Sequence, residues 1–177
     1  MIRKNIKLII IEYFFENPTV QLRVREIERR LKLPLPSVIR YCRELEEETL
    51  LTKKTIGNIH LYAADRTSEK YLLEKKLHNL RQIYESGVTG YLKQELSNPA
   101  VILFGSYLRG EDIEVSDIDL YIETSSNAEI DLKKYELILK RKIQTIKCRK
   151  LSELSNPHLA NSIINGAILT GYIEVFK

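Results

Sequence analysis

Apolar positions Ile6, Ile9, Ile10, Tyr13 and Phe14 recur three and four residues apart, the spacing of one helical face, and Asn17-Pro18 closes the pattern. The spacing predicts a helix over 3–16. Val24, Ile27 and Leu31 predict a second, shorter helix. Leu33-Pro34-Leu35-Pro36 predicts a turn, because proline lacks the N–H that a continuing helix needs. A third helix is expected over 36–48, opened by Pro36 or Ser37, with Val38, Tyr41, Cys42 and Leu45 inward. After Leu50 the period changes: Leu51 to Ile56, then Gly57-Asn58, then Ile59 to Ala63 predicts two strands joined by a two-residue hairpin turn.

Leu72, Leu73, Leu77, Leu80, Ile83 and Tyr84 mark a longer amphipathic helix over 67–86, with Thr67 or Ser68 as cap and Gly87 as stop. This stripe packs either on its own domain or on a second copy of the chain. A short helix, Gly90 to Leu96, ends at Asn98-Pro99. Ala100 to Phe104 is a continuous apolar run, read as a buried strand, and Gly105-Ser106 follows at once. Ser116 to Ile122 reads as the next strand. Asp131 to Lys142 reads as a helix, Ile143 to Cys148 as a strand, and Ser155 to Gly166 as a helix with Leu159, Ile163 and Ile164 inward. Asn161 and Asn165 read as surface or capping residues. Ala167 to Phe176 supplies a last strand pair or edge.

The 177 residues, 44% of them hydrophobic, fit a globular chain of one or two domains, and 29% charge leaves no run near the roughly 18 apolar residues of a membrane span. Glu12 and Glu16 interrupt the apolar opening, so it reads as a helix of the mature protein and not as a signal peptide. Cys42 and Cys148 sit in no metal-binding spacing; buried thiols are expected, with a single disulfide as the alternative. His60, His78 and His158 have no partner at ligand spacing and read as surface or core histidines. A cytoplasmic location is expected. The net charge of +4 is carried entirely by residues 1–66, where 13 Lys/Arg face 9 Asp/Glu, while the remainder balances at 15 of each. That asymmetry assigns different partners to the two parts, the basic one suiting phosphate backbones.

Gly105 to Gly110 has the two-glycine spacing of a P-loop, but Glu111 stands where that motif needs Lys. Strand alternation puts Asp117 and Asp119 on one face, with Cα atoms roughly 6.6 Å apart, so the two carboxylates can share a divalent cation.

Two resemblances follow. Three helices and a hairpin, with Val38-Ile-Arg-Tyr-Cys-Arg-Glu-Leu45 and the Gly57-Asn58 turn, resemble a winged helix-turn-helix over about residues 1–65. The resemblance implies that the third helix enters a DNA major groove, that Ser37, Arg40 and Arg43 face DNA, and that Lys53 and Lys54 touch phosphates. A protein-docking unit, or a merely solvated basic face with Glu44, Glu46, Glu47 and Glu48 repelling DNA, is the alternative. Phe104-Gly105-Ser106, ten residues, then Asp117-Ile118-Asp119, together with Arg109-Gly110 and Ser116, resemble the minimal nucleotidyltransferases of the DNA polymerase β superfamily over about Asn98 to Lys177.

This second resemblance implies a reaction. Asp117 and Asp119 would hold Mg²⁺ (or Mn²⁺), Gly105, Ser106, Arg109 and Ser116 would bind the nucleoside triphosphate, and Arg109 would clamp developing charge. The family's third carboxylate falls on the next strand, where this chain has Gln144. Glu123 shares the aspartate face but lies about 13 Å along the strand from Asp119, and Glu174 is a substitute that sequence does not place. The expectation is an α+β chain: a winged helix at 1–66, a helical connector at 67–97, and a nucleotidyltransferase α/β domain with a short mixed sheet at 98–177. The function expected is ATP or other NTP binding and nucleotidyl transfer to an acceptor, a protein among them. The alternative is a non-catalytic DNA-binding regulator whose second domain senses nucleotide or holds a partner, and a homodimer through the connector remains open.

Overall fold

The computed structural model describes residues 5–174. Helix α1 (Ile6–Glu16) starts at Asn5, whose side chain accepts from Leu8 N–H, and ends at Asn17; positions 3 and 4 of the predicted helix lie outside the described residues. A two-residue strand β1 (Gln21–Leu22) follows, then α2 (Val24–Leu31) and α3 (Leu35–Glu47). The Glu26 carboxylate accepts from Arg23 N–H at 2.8 Å, satisfying one of the donors that a helix start leaves open. The proline-rich segment 33–36 is only half a turn: Pro34 caps α3 and Pro36 sits inside its first turn, where a missing N–H costs nothing.

Strands β2 (Leu51–Ile56) and β3 (Ile59–Ala64) form the predicted hairpin, with Gly57 at φ +59° in its turn. β1 pairs antiparallel with β3 and completes a three-stranded sheet in the order β1-β3-β2. Sequence periodicity missed β1 because two residues carry no period. The sheet and three helices enclose one core around Ile10, Phe14, Ile27, Val38, Cys42, Leu45 and Tyr71. Cys42 is buried there, and that burial pushes its thiol up to about 12. Cys148 is also a free thiol, partly exposed where the sequence predicted burial.

Helix α4 (Glu69–Ser86) takes Ser68 as its cap, the hydroxyl accepting from Tyr71 N–H, and Gly87 follows it at φ +80°. The predicted apolar face needs correction. Leu73, Leu77 and Tyr84 are about half exposed, while the buried positions include Tyr71, His78, Asn79 and Ile83. Polar partners turned the helix: the Tyr71 hydroxyl donates to Phe14 O at 3.1 Å, and the His78 ring lies 5.3 Å from that of Phe15. The chain divides into two compact units at 78/79, inside α4, so the segment read as a connector is shared between them.

Within the second unit, α5 (Val88–Glu95) begins two residues earlier than predicted. Then come β4 (Ala100–Phe104), a five-residue helix α6 (Gly105–Arg109), β5 (Ile118–Glu123), α7 (Lys133–Leu139), β6 (Ile143–Cys148), α8 (Pro157–Ile164) and β7 (Ala167–Thr170). The sheet order is β6-β5-β4-β7, with β5 and β6 parallel and the other pairs antiparallel. It is the short mixed sheet the sequence led us to expect. Every residue of β4 is buried, and Ile118, Leu120, Tyr121 and Ile122 of β5 have no exposure, about 1.5–3 kcal/mol of burial for each large side chain.

Several predicted ranges shift: β5 starts at Ile118, two residues later than expected, which leaves Asp117 off the strand. α7 has only seven residues because Lys140 turns left-handed at φ 53°. α8 starts at Pro157, capped by the Asn156 side chain, and leaves Ile164 48% exposed, outside the core that takes Ile163. Asn165 is the residue that follows α8, its amide donating to Asn161 O. The last strand stops at Thr170, and Phe176 lies outside the described residues. Among the described residues no helix is long and apolar enough to cross a membrane.

Candidate active site

The site grows out of the β4–β5 pair. Register places Phe104 opposite Asp119, so the strand that ends in Gly105-Ser106 delivers that turn beside the second aspartate. The chain passes from extended Phe104 into α6 through Gly105 at φ +79°, a left-handed conformation that glycine adopts without strain. Close approach requires glycine too: a Cβ at this position would stand 2.2 Å from Asp119 Oδ2. The backbone of Gly105 therefore lies directly against the Asp119 carboxylate.

Asp117 precedes β5 and is exposed, and Asp119, inside the strand, is half-buried. Burial, reinforced by the negative charge of Asp117, raises the Asp119 carboxyl above its usual range, and the Arg109 guanidinium partly opposes this. Like charges held together in a half-dry site are the electrostatic condition that a cation relieves. Asp119 also lies opposite Gln144 in the parallel β5–β6 ladder, so the exposed Gln144 occupies the neighbouring-strand position at which the sequence lacks a third carboxylate. Among the described residues no group of three or more His, Cys, Asp or Glu side chains could hold a metal.

The other predicted ligands divide. Arg109 is largely exposed at the end of α6, and its Nε donates to Glu111 Oε2 at 2.7 Å. Ser106 lies in α6, half-buried, with its carbonyl accepting from Glu111 N–H. The Ser116 hydroxyl accepts from Ile113 N–H at 3.0 Å, and Ser116 N–H donates to Ile113 O, so this residue closes the loop that leads to Asp117. Glu123 is not part of the site: its carboxylate accepts from the Tyr121 hydroxyl and from Leu151 N–H, at 3.0 and 2.8 Å. Glu174 lines a groove with Glu123, Ala100 and Arg149, at the opposite end of the sheet from Asp119, and so does not replace the missing carboxylate.

In the first unit, Arg40, Arg43, Lys53 and Lys54 are exposed and Ser37 is partly so. Val38, Cys42 and Leu45 take the buried side of α3, which turns the two arginines outward. The Arg40 guanidinium lies 4.3 Å from the Tyr41 ring centroid and its Nε 3.6 Å from Glu44 Oε1. The acidic end of α3 is partly neutralised: Lys7 pairs with Glu44 and Glu48, and Lys70 with Glu48. The Lys7 bond is the main reason that the Glu48 carboxyl falls below its ordinary range.

The strand-turn-helix thus packs Gly105 on Asp119 of the antiparallel partner, with Asp117 two residues ahead, just before β5 begins. The family model described as Polymerase beta, Nucleotidyltransferase matches residues 87–177, half of the chain, and the chain belongs to that family. The match starts eleven residues before the expected boundary at 98, so it takes in α5, and residues 1–86 lie outside it. No curated protein and no solved structure matches the chain.

Proposed function

We propose that the second unit transfers a nucleotidyl group from a nucleoside triphosphate to an acceptor hydroxyl. The observation that carries this reading is the Gly105 backbone against the Asp119 carboxylate, with the charge of Asp117 close enough to raise it. Asp117 and Asp119 fit a divalent cation: two oxygen donors, mutually repelling and one of them half-buried, are the donor set that Mg²⁺ or Mn²⁺ favours when phosphate oxygens and water supply the rest. An ion held by Asp117 and Asp119 would supply charge neutralisation for the phosphates and acidification of the acceptor hydroxyl.

The chain's own groups orient and enclose. Gly105 lets the turn pack against Asp119, the Ser106 hydroxyl and Arg109 donate to phosphate oxygens, and Ser116 keeps the 113–117 loop closed so that Asp117 stays beside Asp119. In the transfer the acceptor hydroxyl gives its proton to solvent, its oxygen bonds to the α-phosphorus, and the α–β phosphoanhydride bond breaks to release pyrophosphate. With Gln144 neutral at the third position, turnover is expected to be slow relative to a three-carboxylate site. The test is calorimetric titration with ATP and GTP, with and without Mg²⁺. Saturable binding that disappears with EDTA is expected for at least one nucleotide; the absence of Mg²⁺-dependent binding for both would sink the reading.

The first unit supports a second function in the same chain. Its order of elements, with a three-stranded sheet and exposed arginines on α3, supports a winged helix that binds duplex DNA. Lys53 and Lys54, both exposed on β2, are the candidates for phosphate contacts. Affinity for a random duplex is expected to fall steeply with salt, and replacing both lysines by alanine should reduce the log–log salt slope by about 2, one for each lost phosphate contact. Fluorescence anisotropy against ionic strength measures this. An unchanged slope in the double variant removes the two lysines from the interface, and no binding at low salt removes DNA altogether.

A further inference from the structure

Asn79 and Asp112 carried no signal in the sequence, yet they are among the few fully buried polar residues, at 3% and 1% exposure. Asn79 lies in the part of α4 that belongs to the second unit. Its amide nitrogen donates to Tyr107 O and to Asp112 Oδ1, both at 2.8 Å. Tyr107 is in α6, the helix that starts with Gly105-Ser106, and Asp112 is in the loop that leads to Asp117. A further contact reaches the third segment of the site: Arg141 Nη2 lies 3.9 Å from Asp112 Oδ2, just ahead of the strand that places Gln144 opposite Asp119.

From these contacts we propose that Asn79 is a positioning residue for the candidate site, holding the Gly-Ser helix and the Asp117 loop in one fixed relation through its two hydrogen bonds. Burying a carboxylate and an amide is unfavourable unless both are bonded, so a pair of apolar side chains would serve mere packing better. What the polar pair adds is direction. The Ile113–Ser116 hydrogen bonds already close the loop on itself, and Ile118 N–H donates to Lys142 O at 2.8 Å, which fixes its far end to the α7–β6 turn. Asn79 supplies the tie at the near end, so the segment from Tyr107 to Ile118 is anchored from outside at both ends.

The inference rests on the nucleotidyl-transfer reading for its function, but its mechanical part is measured separately. Amide hydrogen exchange of Ile113 and Ser116, and Mg²⁺-ATP and Mg²⁺-GTP affinity well below the unfolding transition, would be compared in the full chain for wild type, Asn79→Ala and Asp112→Asn. Asn79→Ala is expected to speed exchange at both amides and to weaken nucleotide binding, each by about tenfold. Asp112→Asn keeps an acceptor oxygen for the Asn79 amide but removes the charge facing Arg141, so it should lower the melting temperature while, well below unfolding, its exchange and affinity stay closer to wild type than those of Asn79→Ala. A lower melting temperature in Asn79→Ala with unchanged exchange and unchanged affinity would reduce the residue to a structural one and overturn the proposal. Faster exchange with full affinity would overturn it equally, as would a loss in Asp112→Asn as large as in Asn79→Ala. Faster exchange in a protein whose wild type binds neither nucleotide would keep the tie and discard the nucleotidyl-transfer reading instead.

Discussion

Gly105→Ala is expected to abolish Mg²⁺-nucleotide binding, with an affinity loss of at least about a hundredfold, and to lower the melting temperature of the purified chain. Two independent effects combine at this position. The φ of +79° costs an L-residue roughly 1–2 kcal/mol, and the added methyl would stand 2.2 Å from Asp119 Oδ2 and 3.1 Å from its Cγ. The obstacle is the end of a short side chain, so the fold can accommodate the methyl by rotating the carboxylate. That rotation takes Asp119 away from Asp117 and so dismantles the site while the sheet survives. Ser106→Ala, which removes one hydroxyl and no backbone freedom, should cost no more than about tenfold. Calorimetric titration and differential scanning calorimetry on the two variants give both numbers. Affinity within twofold of wild type for Gly105→Ala would show that nucleotide does not use this turn.

Asp119→Asn should separate stability from binding. The Asp119 carboxyl is raised by burial first and by Asp117 second, so the folded chain binds more protons than the unfolded one between the ordinary aspartate range and the raised value. Stability contributed by this group is therefore lost as pH rises through that window, and at pH 7 the full penalty is present. Removing the charge relieves it. In EDTA at pH 7 the variant is expected to melt higher than wild type, by about 2 °C given the partial solvent screening of the site. The difference should vanish only well below the ordinary aspartate range, under about pH 3, where the carboxyl is protonated in both folded and unfolded chains. Mg²⁺-ATP binding should meanwhile fall by at least about a hundredfold. Equal or lower melting at neutral pH would mean that Asp119 is not electrostatically strained.

Much of this was legible along the chain because the carriers were local. Periodicity of 3.6 gave α1 and α3, alternation and Gly57-Asn58 gave the hairpin, and the run Ala100 to Phe104 followed by Gly105 gave the strand and turn that build the site. Gln144 was reached through the family resemblance, which looks for a carboxylate on the next strand, and it does pair with Asp119. What escaped lacked a local signature. β1 is too short for a period, and α6 hides in a turn motif. The buried face of α4 is set by hydrogen bonds to residues far away in sequence, Tyr71 to Phe14 and Asn79 to Tyr107 and Asp112, and so leucine spacing alone misjudged it. Glu174 could not be assigned without knowing at which end of the sheet the chain returns.

The connectivity of the four-stranded sheet also dictates an order of assembly. β4 and β5 are antiparallel neighbours separated only by α6 and the 110–117 loop, so closing them costs little chain entropy, and the Gly105–Asp119 contact is expected to form among the first long-range contacts of its unit. β7 pairs with the other side of β4 only after the chain has run on from Phe104 to Ala167. Until that late return, the outer edge of the most apolar strand stands open, and on a ribosome it stays open while α7, β6 and α8 are still being made.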